Sequence, residues 1–366
     1  MEYSAATFQV NALGLTLLHP RGSEPNSQPP PTVNIVFVHG LRGHPRKTWE
    51  YPAPTRQDVL GTNDVGRGTV PTKKSHLLSN LKHKILKLST RTRPGLQAAG
   101  SSGPGNGKET IYWPADLLPS VVPRAKIWTY GYNADVHVGF FQANNKNSIL
   151  EHGNDFMMKV ERALRDELPI IFVAHSLGGL VVKVAINDMQ SSIVDQYKQF
   201  SRRIRAVVFC GSPHRGSDAV AWGKLATNLF AMALMDTNSR LLSDLQVDSR
   251  ILSLIQANFL KALHREPLRI HSFQEGRALT GVKGLNDKVR IKQARHGTKP
   301  VLTLQVVDDF SSKLGWAPET FETIDADHRE MVKQPGVQDI SDILKDFEQD
   351  VVKAAQALNI GELRLA

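Results

Sequence analysis

The segment 168–180, LPIIFVAHSLGGL, restricts the fold of this chain more than any other part of the sequence. The apolar run at 170–174 has the length and composition of a buried strand, and it leads almost directly into Ser176. Two glycines, Gly178 and Gly179, separate the serine from a Val- and Ala-rich stretch that is typical of a buried helix. A serine between a strand and a helix lies in a tight turn, which small residues permit. We therefore predict that Ser176 lies at the carboxyl edge of a sheet, where open α/β sheets bind ligands.

Strands and helices alternate along the chain on both sides of this segment. Apolar runs predict strands at 10–18, 33–40, 124–131, 170–174, 204–211, 268–273 and 301–307, and helical periodicity predicts helices at 148–167, 180–190 and 337–358. This alternation predicts a single α/β domain over residues 1–366, with a mostly parallel sheet covered by helices on both faces. Residues 217–265 are mostly helical by pattern, and we predict that they form a helical cap segment.

The composition is that of a globular protein able to bury a large core, with 41% hydrophobic and 22% charged residues. The single cysteine, Cys210, cannot form a disulfide within the chain, which fits a reducing compartment. The sequence has no apolar run of about 18 residues, the length of a membrane-spanning helix. Its first residues lack the basic start of a signal peptide. We therefore expect an intracellular protein, cytoplasmic or peripheral on an organelle membrane, that is not secreted.

The excess positive charge of the chain belongs to one segment. The formal net charge is +10, and residues 65–108 contain nine Lys or Arg and no Asp or Glu. Because this charge is not part of the alternating pattern of strands and helices, we expect no nucleic-acid partner. Residues 95–107 have the Gly- and Ser-rich composition of a flexible linker. We interpret 55–110 as a basic, largely disordered insertion.

Part of this insertion has a helical apolar pattern. Leu77, Leu81, Ile85 and Leu88 share one helical face, and Lys82, Lys84 and Lys87 lie elsewhere on the helix. A short basic amphipathic helix can lie on an anionic membrane, so residues 73–93 are a candidate for peripheral membrane contact. A solvated run of charges with incidental leucines is the alternative.

A serine hydroxyl needs a general base to become a nucleophile, and the base is oriented by a third group. In the α/β-hydrolase arrangement the chain order is Ser, then Asp or Glu, then His. The histidines after Ser176 are His214, His264, His271, His296 and His328. His328 follows a short apolar segment and precedes the last predicted helix, which is where the base of the final loop is expected. We predict that His328 is the base.

Two carboxylates fit the position of the third group. Glu275 lies at the carboxyl end of the strand predicted at 268–273, and Asp308 ends the apolar run at 302–307. Asp309 adjoins the second of these. We favour Glu275 and keep Asp308 as the alternative, and either could also be a solvated loop carboxylate.

Acyl transfer also needs fixed N–H donors for the oxyanion. We predict the backbone N–H of Leu177, directly after the serine, and that of Leu41, in the glycine-containing loop after the strand at 33–40. The histidines are scattered along the sequence and do not form a metal-binding motif. We therefore expect no metal and no cofactor.

The chain resembles the serine esterase/lipase-like α/β hydrolases common in fungi, which are related to the serine active site-containing protein family. The matching segments, in order between residues 33 and 335, are 35–49 (IVFVHGLRGHPRKTW), 113–119 (WPADLLP), 130–132 (YGY), 168–180, 210–217 (CGSPHRGS), 272–275 (SFQE) and 325–328 (DADH). The resemblance implies an α/β-hydrolase fold, with Ser176 as nucleophile and His328 as base, and it leaves the acid open. The chain departs from the family at Ala174 and Arg42, where Gly is usual, at Ser212, where Thr is usual, and in the insertion at 55–110.

These features predict a serine hydrolase that acts on carboxylic esters through an acyl-enzyme on Ser176. Lipid esters are the favoured class, because the predicted cap contains the apolar stretch 229–235, which could cover an acyl pocket or be plain core. The alternative is an inactive or weakly active interaction module on a hydrolase scaffold, associated with signalling or a membrane. An acyltransferase with the same residues is a third possibility.

Overall fold

The structure is a computed structural model that describes residues 9–21, 29–54, 109–134, 148–214, 228, 249–280, 290–291, 302–304, 306–307 and 311–363. Apart from its last two residues, the predicted insertion at 55–110 lies outside the described residues, and so does the candidate membrane segment at 73–93. Most of the predicted cap at 217–265 is also outside them. No helix in the described ranges is both long enough and apolar enough to cross a membrane.

The central sheet has seven strands in the described part of the chain. They are β1 (Gly14–His19), β2 (Val33–Val38), β5 (Ala125–Gly131), β6 (Ile170–His175), β7 (Ile204–Cys210), β8 (Arg269–Glu275) and β12 (Thr320–Ile324), in the spatial order β1-β5-β2-β6-β7-β8-β12. Every neighbouring pair is parallel except β1 with β5, which is antiparallel. This sheet, with a serine turn between a central strand and a helix, is an α/β-hydrolase fold.

Five short strands lie apart from the central sheet. β3 (Glu50–Pro52) pairs with β4 (Thr110–Tyr112), while β9 (Leu279–Thr280), β10 (Arg290–Ile291) and β11 (Leu302–Leu304) form a sheet in the order β10-β11-β9. The strand predicted at 301–307 is therefore shorter than expected and belongs to this small sheet. The last strand of the central sheet is instead β12, which the sequence pattern did not predict as a strand.

The helices of the described residues are α1 (Trp113–Asp116), α2 (Ile149–Ala163), α3 (Gly178–Ser191), α4 (Asp195–Ser201), α5 (Ser249–Arg265) and α6 (Val337–Leu363), with a 3₁₀ turn at Leu118–Ser120. The sequence pattern did not predict α4. The side chain of Ser148 begins α2 by accepting a hydrogen bond from the N–H of Glu151. In the predicted cap, α5 is the helix that the structure describes, together with a helical residue at 228.

The sheet divides the core into two apolar layers. Alternate residues of β2 point to opposite faces, so that Val36 and Val38 belong to one layer while Ile35 and Phe37 belong to the other. Helices α2, α3 and α5 cover the first layer, and α1 and α6 cover the second. Because β6 is buried at every position, both layers pack on the strand that ends at Ser176. The turn after β6 is thereby fixed from both sides of the sheet.

Candidate active site

Ser176 lies in a strained turn between β6 and α3. Its φ is +55°, a left-handed conformation that costs a non-glycine residue about 1–2 kcal/mol. The Ser176 N–H donates to the carbonyl of Cys210 at 2.9 Å, which extends the pairing of β6 with β7 by one residue. The turn therefore projects the hydroxyl from the carboxyl edge of the sheet at a defined position. The serine is 1% exposed, so its hydroxyl lies in a desolvated environment.

His328 contacts the serine directly. Its Nε2 atom lies 2.9 Å from Oγ of Ser176, within hydrogen-bond distance across 152 residues of sequence. The loop that carries His328 is ordered by Asp327, whose Oδ1 accepts hydrogen bonds from the N–H groups of Arg329 and Glu330. The ring is fully buried, and it is therefore held by the protein and not by solvent.

Burial lowers the pKa of His328 well below its ordinary value of 6.5. The neighbouring ring of His175 and the charge of Arg329 lower it further. The imidazole is therefore neutral at neutral pH. A neutral imidazole with Nε2 next to a hydroxyl has the protonation state that a general base needs.

Glu275 lies on the far side of the imidazole from the serine. Its Oε2 is 3.7 Å from Nδ1 of His328, longer than a hydrogen bond but close enough for a direct charge interaction. The N–H of Val307 donates to Oε1 of the same carboxylate and orients it. Catalytic hydrogen bonds are often long in the absence of substrate and shorten in the complex. Of the two carboxylates that the sequence left open, the structure brings Glu275 to the histidine, whereas Asp308 lies outside the described residues.

The sheet explains why Glu275 and His328 meet. β12 runs parallel to β8 with Ile324 opposite Glu275, so the chain reaches His328 four residues after passing the carboxylate. The backbone extends this pairing, because the N–H of Gly276 donates to Ile324 and that of Arg277 donates to Ala326. Glu275, the last residue of β8, and the loop after β12 are thereby held side by side.

The loop after β2 packs against the serine. A Cβ atom added to Gly40 would be 2.6 Å from Cβ of Ser176, so only glycine permits this close approach. Leu41 and Leu177, the predicted oxyanion donors, are both buried. Neither N–H donates to a backbone carbonyl among the turn and loop hydrogen bonds of the described residues. Both groups are therefore compatible with a role as donors to a ligand oxygen.

Two aromatic rings hold the predicted oxyanion loop in place. The ring of His39 stacks on that of Tyr132 at a centroid distance of 4.5 Å and an interplanar angle of 10°. The Tyr132 hydroxyl donates to the carbonyl of His39 at 2.9 Å, and Nδ1 of His39 lies 3.0 Å from the carbonyl of Gly40. Burial lowers the pKa of His39 to about 4, so this contact is made by a neutral ring. The sequence pattern did not predict this role for either residue.

Two departures from the family pattern are accommodated by the fold. Ala174 is fully buried in the apolar layer with α2 and α3, and Ser176 keeps its left-handed conformation beside it. Arg42 has a φ of +50°, which explains why glycine is usual at this position. Neither residue prevents contact between Ser176 and His328.

Three of the other histidines make contacts with residues other than Ser176. His271 lies within β8 and contacts Oγ1 of Thr320 at 2.8 Å, and His264 on α5 packs edge-on against Trp316. His214 packs against Phe209, and His296 lies outside the described residues. No group of three or more His, Cys, Asp or Glu in the described ranges could hold a metal ion.

Comparison with known proteins associates the serine segment with an esterase family. Residues 152–258 match the family described as "Putative serine esterase (DUF676)". Protein SERAC1 of Bos taurus is 24% identical over 265 residues, which are 72% of this chain and 32% of SERAC1. Protein SERAC1 of Homo sapiens is 22% identical over 265 residues, with the same coverage. The chain thus spans 32% of the length of these relatives, and the similarity agrees with the resemblance to serine esterases without confirming a fungal grouping.

Solved structures of similar architecture include lipases. Lipase BlEst2 of Bacillus licheniformis, in its mature form, is 13% identical with a TM-score of 0.43, over 90% of this chain and 97% of that one. A soluble variant of monoglyceride lipase from Saccharomyces cerevisiae is 9% identical with a TM-score of 0.37, over 95% and 98% of the two chains.

Proposed function

We propose that the protein is a serine hydrolase that cleaves carboxylic esters through an acyl-enzyme on Ser176. The observation that carries this proposal is the 2.9 Å contact between Oγ of Ser176 and Nε2 of a buried His328. A hydroxyl beside a neutral imidazole, with a carboxylate behind that ring, is the arrangement that activates a serine. The match of residues 152–258 to a serine esterase family supports the ester as substrate class.

In the proposed reaction, Oγ of Ser176 attacks the ester carbonyl as its proton moves to Nε2 of His328. The resulting oxyanion accepts hydrogen bonds from the N–H groups of Leu41 and Leu177. The carboxylate of Glu275 stabilises the imidazolium and keeps Nδ1 protonated. The imidazolium then protonates the departing alcohol, and an acyl ester on Ser176 remains. Water, deprotonated by His328, attacks this ester, the acid leaves, and the imidazolium returns its proton to Oγ of Ser176.

Within the esters, we propose lipid esters as the substrates. The apolar stretch at 229–235 supports this choice as a sequence feature, and it lies outside the described residues. Long-chain acyl groups should therefore be cleaved faster than acetyl groups. A panel of p-nitrophenyl esters of increasing chain length tests this ranking, and highest kcat/KM for acetate would contradict it.

The experiment for the hydrolase itself is labelling of the purified chain with a fluorophosphonate, which reacts with activated serines. We expect labelling of the wild type, and loss of labelling in Ser176→Ala and His328→Ala. Ser212→Ala is the matched control, because Ser212 is also buried and lies beyond β7, where its Oγ faces the carbonyl of Ala174 at 3.4 Å. A folded wild type that is not labelled would contradict the hydrolase and favour the inactive interaction module.

A further inference from the structure

His175, the residue before the serine, contacts the backbone of the proposed base. Its Nε2 lies 2.8 Å from the carbonyl oxygen of His328. Because a carbonyl only accepts hydrogen bonds, Nε2 of His175 must carry the proton, which fixes the tautomer of this ring. Two consecutive residues therefore contact two parts of His328, since His175 binds its carbonyl and Ser176 its ring.

The surroundings of His175 keep its ring neutral and in place. The side chain is 7% exposed, and its ring lies 5.0 Å from the ring of His328 and 6.3 Å, edge-on, from that of Trp49. Burial lowers the pKa of His175 to about 4, although the hydrogen bond to His328 opposes this shift. At neutral pH this neutral ring donates one hydrogen bond, to the carbonyl of His328.

Other contacts hold the residues on either side of His328. The Ala326 carbonyl accepts from the N–H of Arg277, and the Val332 carbonyl accepts from Nε1 of Trp113 at 2.9 Å. The carbonyl of His328 itself is bound by His175. This hydrogen bond sets the orientation of the peptide that follows His328, and with it the direction in which the imidazole leaves the backbone.

We propose that His175 is a positioning residue that fixes the distance between Ser176 and His328 through the carbonyl of His328. The proposal rests on the proposed hydrolase function. A misplacement of about 1 Å in an active site can lower the rate by roughly 100-fold. Loss of this hydrogen bond should therefore lower kcat and leave KM nearly unchanged, because His175 acts through another residue and does not touch the substrate.

The test compares three variants in ester hydrolysis and in the rate of fluorophosphonate labelling. His175→Phe keeps a ring of similar size and removes the donor, and we expect kcat and the labelling rate to fall together by roughly 10- to 100-fold. His175→Gln places an amide N–H near the position of Nε2, and we expect it to recover most of the loss. His271→Phe is the control, since His271 is a buried histidine whose pKa burial also lowers to about 4 and whose contact is with Thr320.

Three outcomes would overturn the proposal. A folded His175→Phe variant with the wild-type kcat would show that the contact has no effect on the base. A His175→Gln variant as slow as His175→Phe would show that the hydrogen bond is not the cause. If the wild type is not labelled, the hydrolase fails separately, and nitrogen NMR of ¹⁵N-histidine-labelled protein then tests the contact alone. His175 should be the Nε2–H tautomer, and an Nδ1–H tautomer would contradict the proposal.

Discussion

Gly211 lies directly against the imidazole of His328. A Cβ atom on Gly211 would be 3.0 Å from Nδ1 of His328 and 2.9 Å from Sδ of Met331. The glycine follows β7 and has a φ of +57°, a conformation that favours glycine for a second, independent reason. The Nδ1 and Cε1 atoms of the His328 ring therefore lie where a side chain at position 211 would begin.

Gly211→Ala should lower kcat by more than its loss of folding stability would explain. The added methyl group must displace the ring of His328 or the thioether of Met331, and we expect kcat to fall by roughly 100-fold. Gly14→Ala is the matched control, because Gly14 has a φ of +81° and nothing within 4 Å of an added Cβ. Both variants should lose about 1–2 kcal/mol of unfolding free energy from backbone strain. Equal kcat in the two variants would contradict this account.

Glu275→Gln should show which of the two candidate carboxylates, Glu275 or Asp308, acts as the acid of the proposed triad. The substitution keeps the shape of the side chain and removes the charge that faces Nδ1 of His328 at 3.7 Å. By comparison with other triads, we expect kcat to fall by about 10²–10⁴. Asp308→Asn is the control, and it should retain activity within about threefold, since a residue outside the triad contributes no such charge. The reverse result would assign the acid to Asp308.

The activity should persist at mildly acidic pH. The folded-state pKa of His328 is lowered well below 6.5 by burial, by His175 and by Arg329. Since the base acts when neutral, kcat/KM should be constant from neutral pH down past 6.5 and fall at a lower pH. A pH–rate profile of the wild type measures the position of this acidic limb. A limb at or above pH 6.5 would contradict the neutral, buried base.

Arg329→Gln should move that limb towards higher pH. Removal of the nearby positive charge favours protonation of His328, so the pKa of the imidazole rises. The plateau of kcat/KM should change little, because Arg329 is not one of the reacting groups. Lys159→Gln is the control, since it removes the same charge from α2, where Lys159 pairs with Asp155. A limb that moves equally in both variants would indicate a general effect of net charge.

The central strands could be predicted because buried strands are apolar along their whole length. The contact between Ser176 and His328 could be predicted because His328 lies in the loop before the last helix, where the α/β-hydrolase order places the base. For the acid, the sequence favours Glu275 but leaves Asp308 open, because the approach of His328 to Glu275 depends on β12, four of whose five residues are exposed. An edge strand exposed on both faces has no apolar periodicity to detect. The contacts of Gly211 and His175 with His328 could not be predicted either, since each joins residues more than 100 positions apart in the sequence.

Lys183 should contribute stability that increases with pH. It lies on α3, is fully buried, and donates from Nζ to the carbonyl of Pro213 at 3.0 Å and to Oε1 of Gln256 at 2.8 Å. Burial lowers the pKa of Lys183 well below 10.5 in the folded state. In the unfolded chain the amine binds a proton up to about pH 10.4. Between these two pKa values the unfolded state holds more protons, so the free energy of unfolding rises with pH.

Lys183→Met keeps the length of the side chain and leaves two buried oxygens without their donor. We expect a loss of about 1–3 kcal/mol in the free energy of unfolding. The difference in unfolding free energy between the wild type and Lys183→Met should grow between pH 7 and pH 9, by at most about 1.4 kcal/mol per pH unit. Lys159→Met removes a partly exposed lysine paired with Asp155, and it should change stability by less than about 1 kcal/mol. Urea titrations at both pH values measure these differences. If the loss of unfolding free energy in Lys183→Met is the same at both pH values, the buried amine keeps its proton in the folded state.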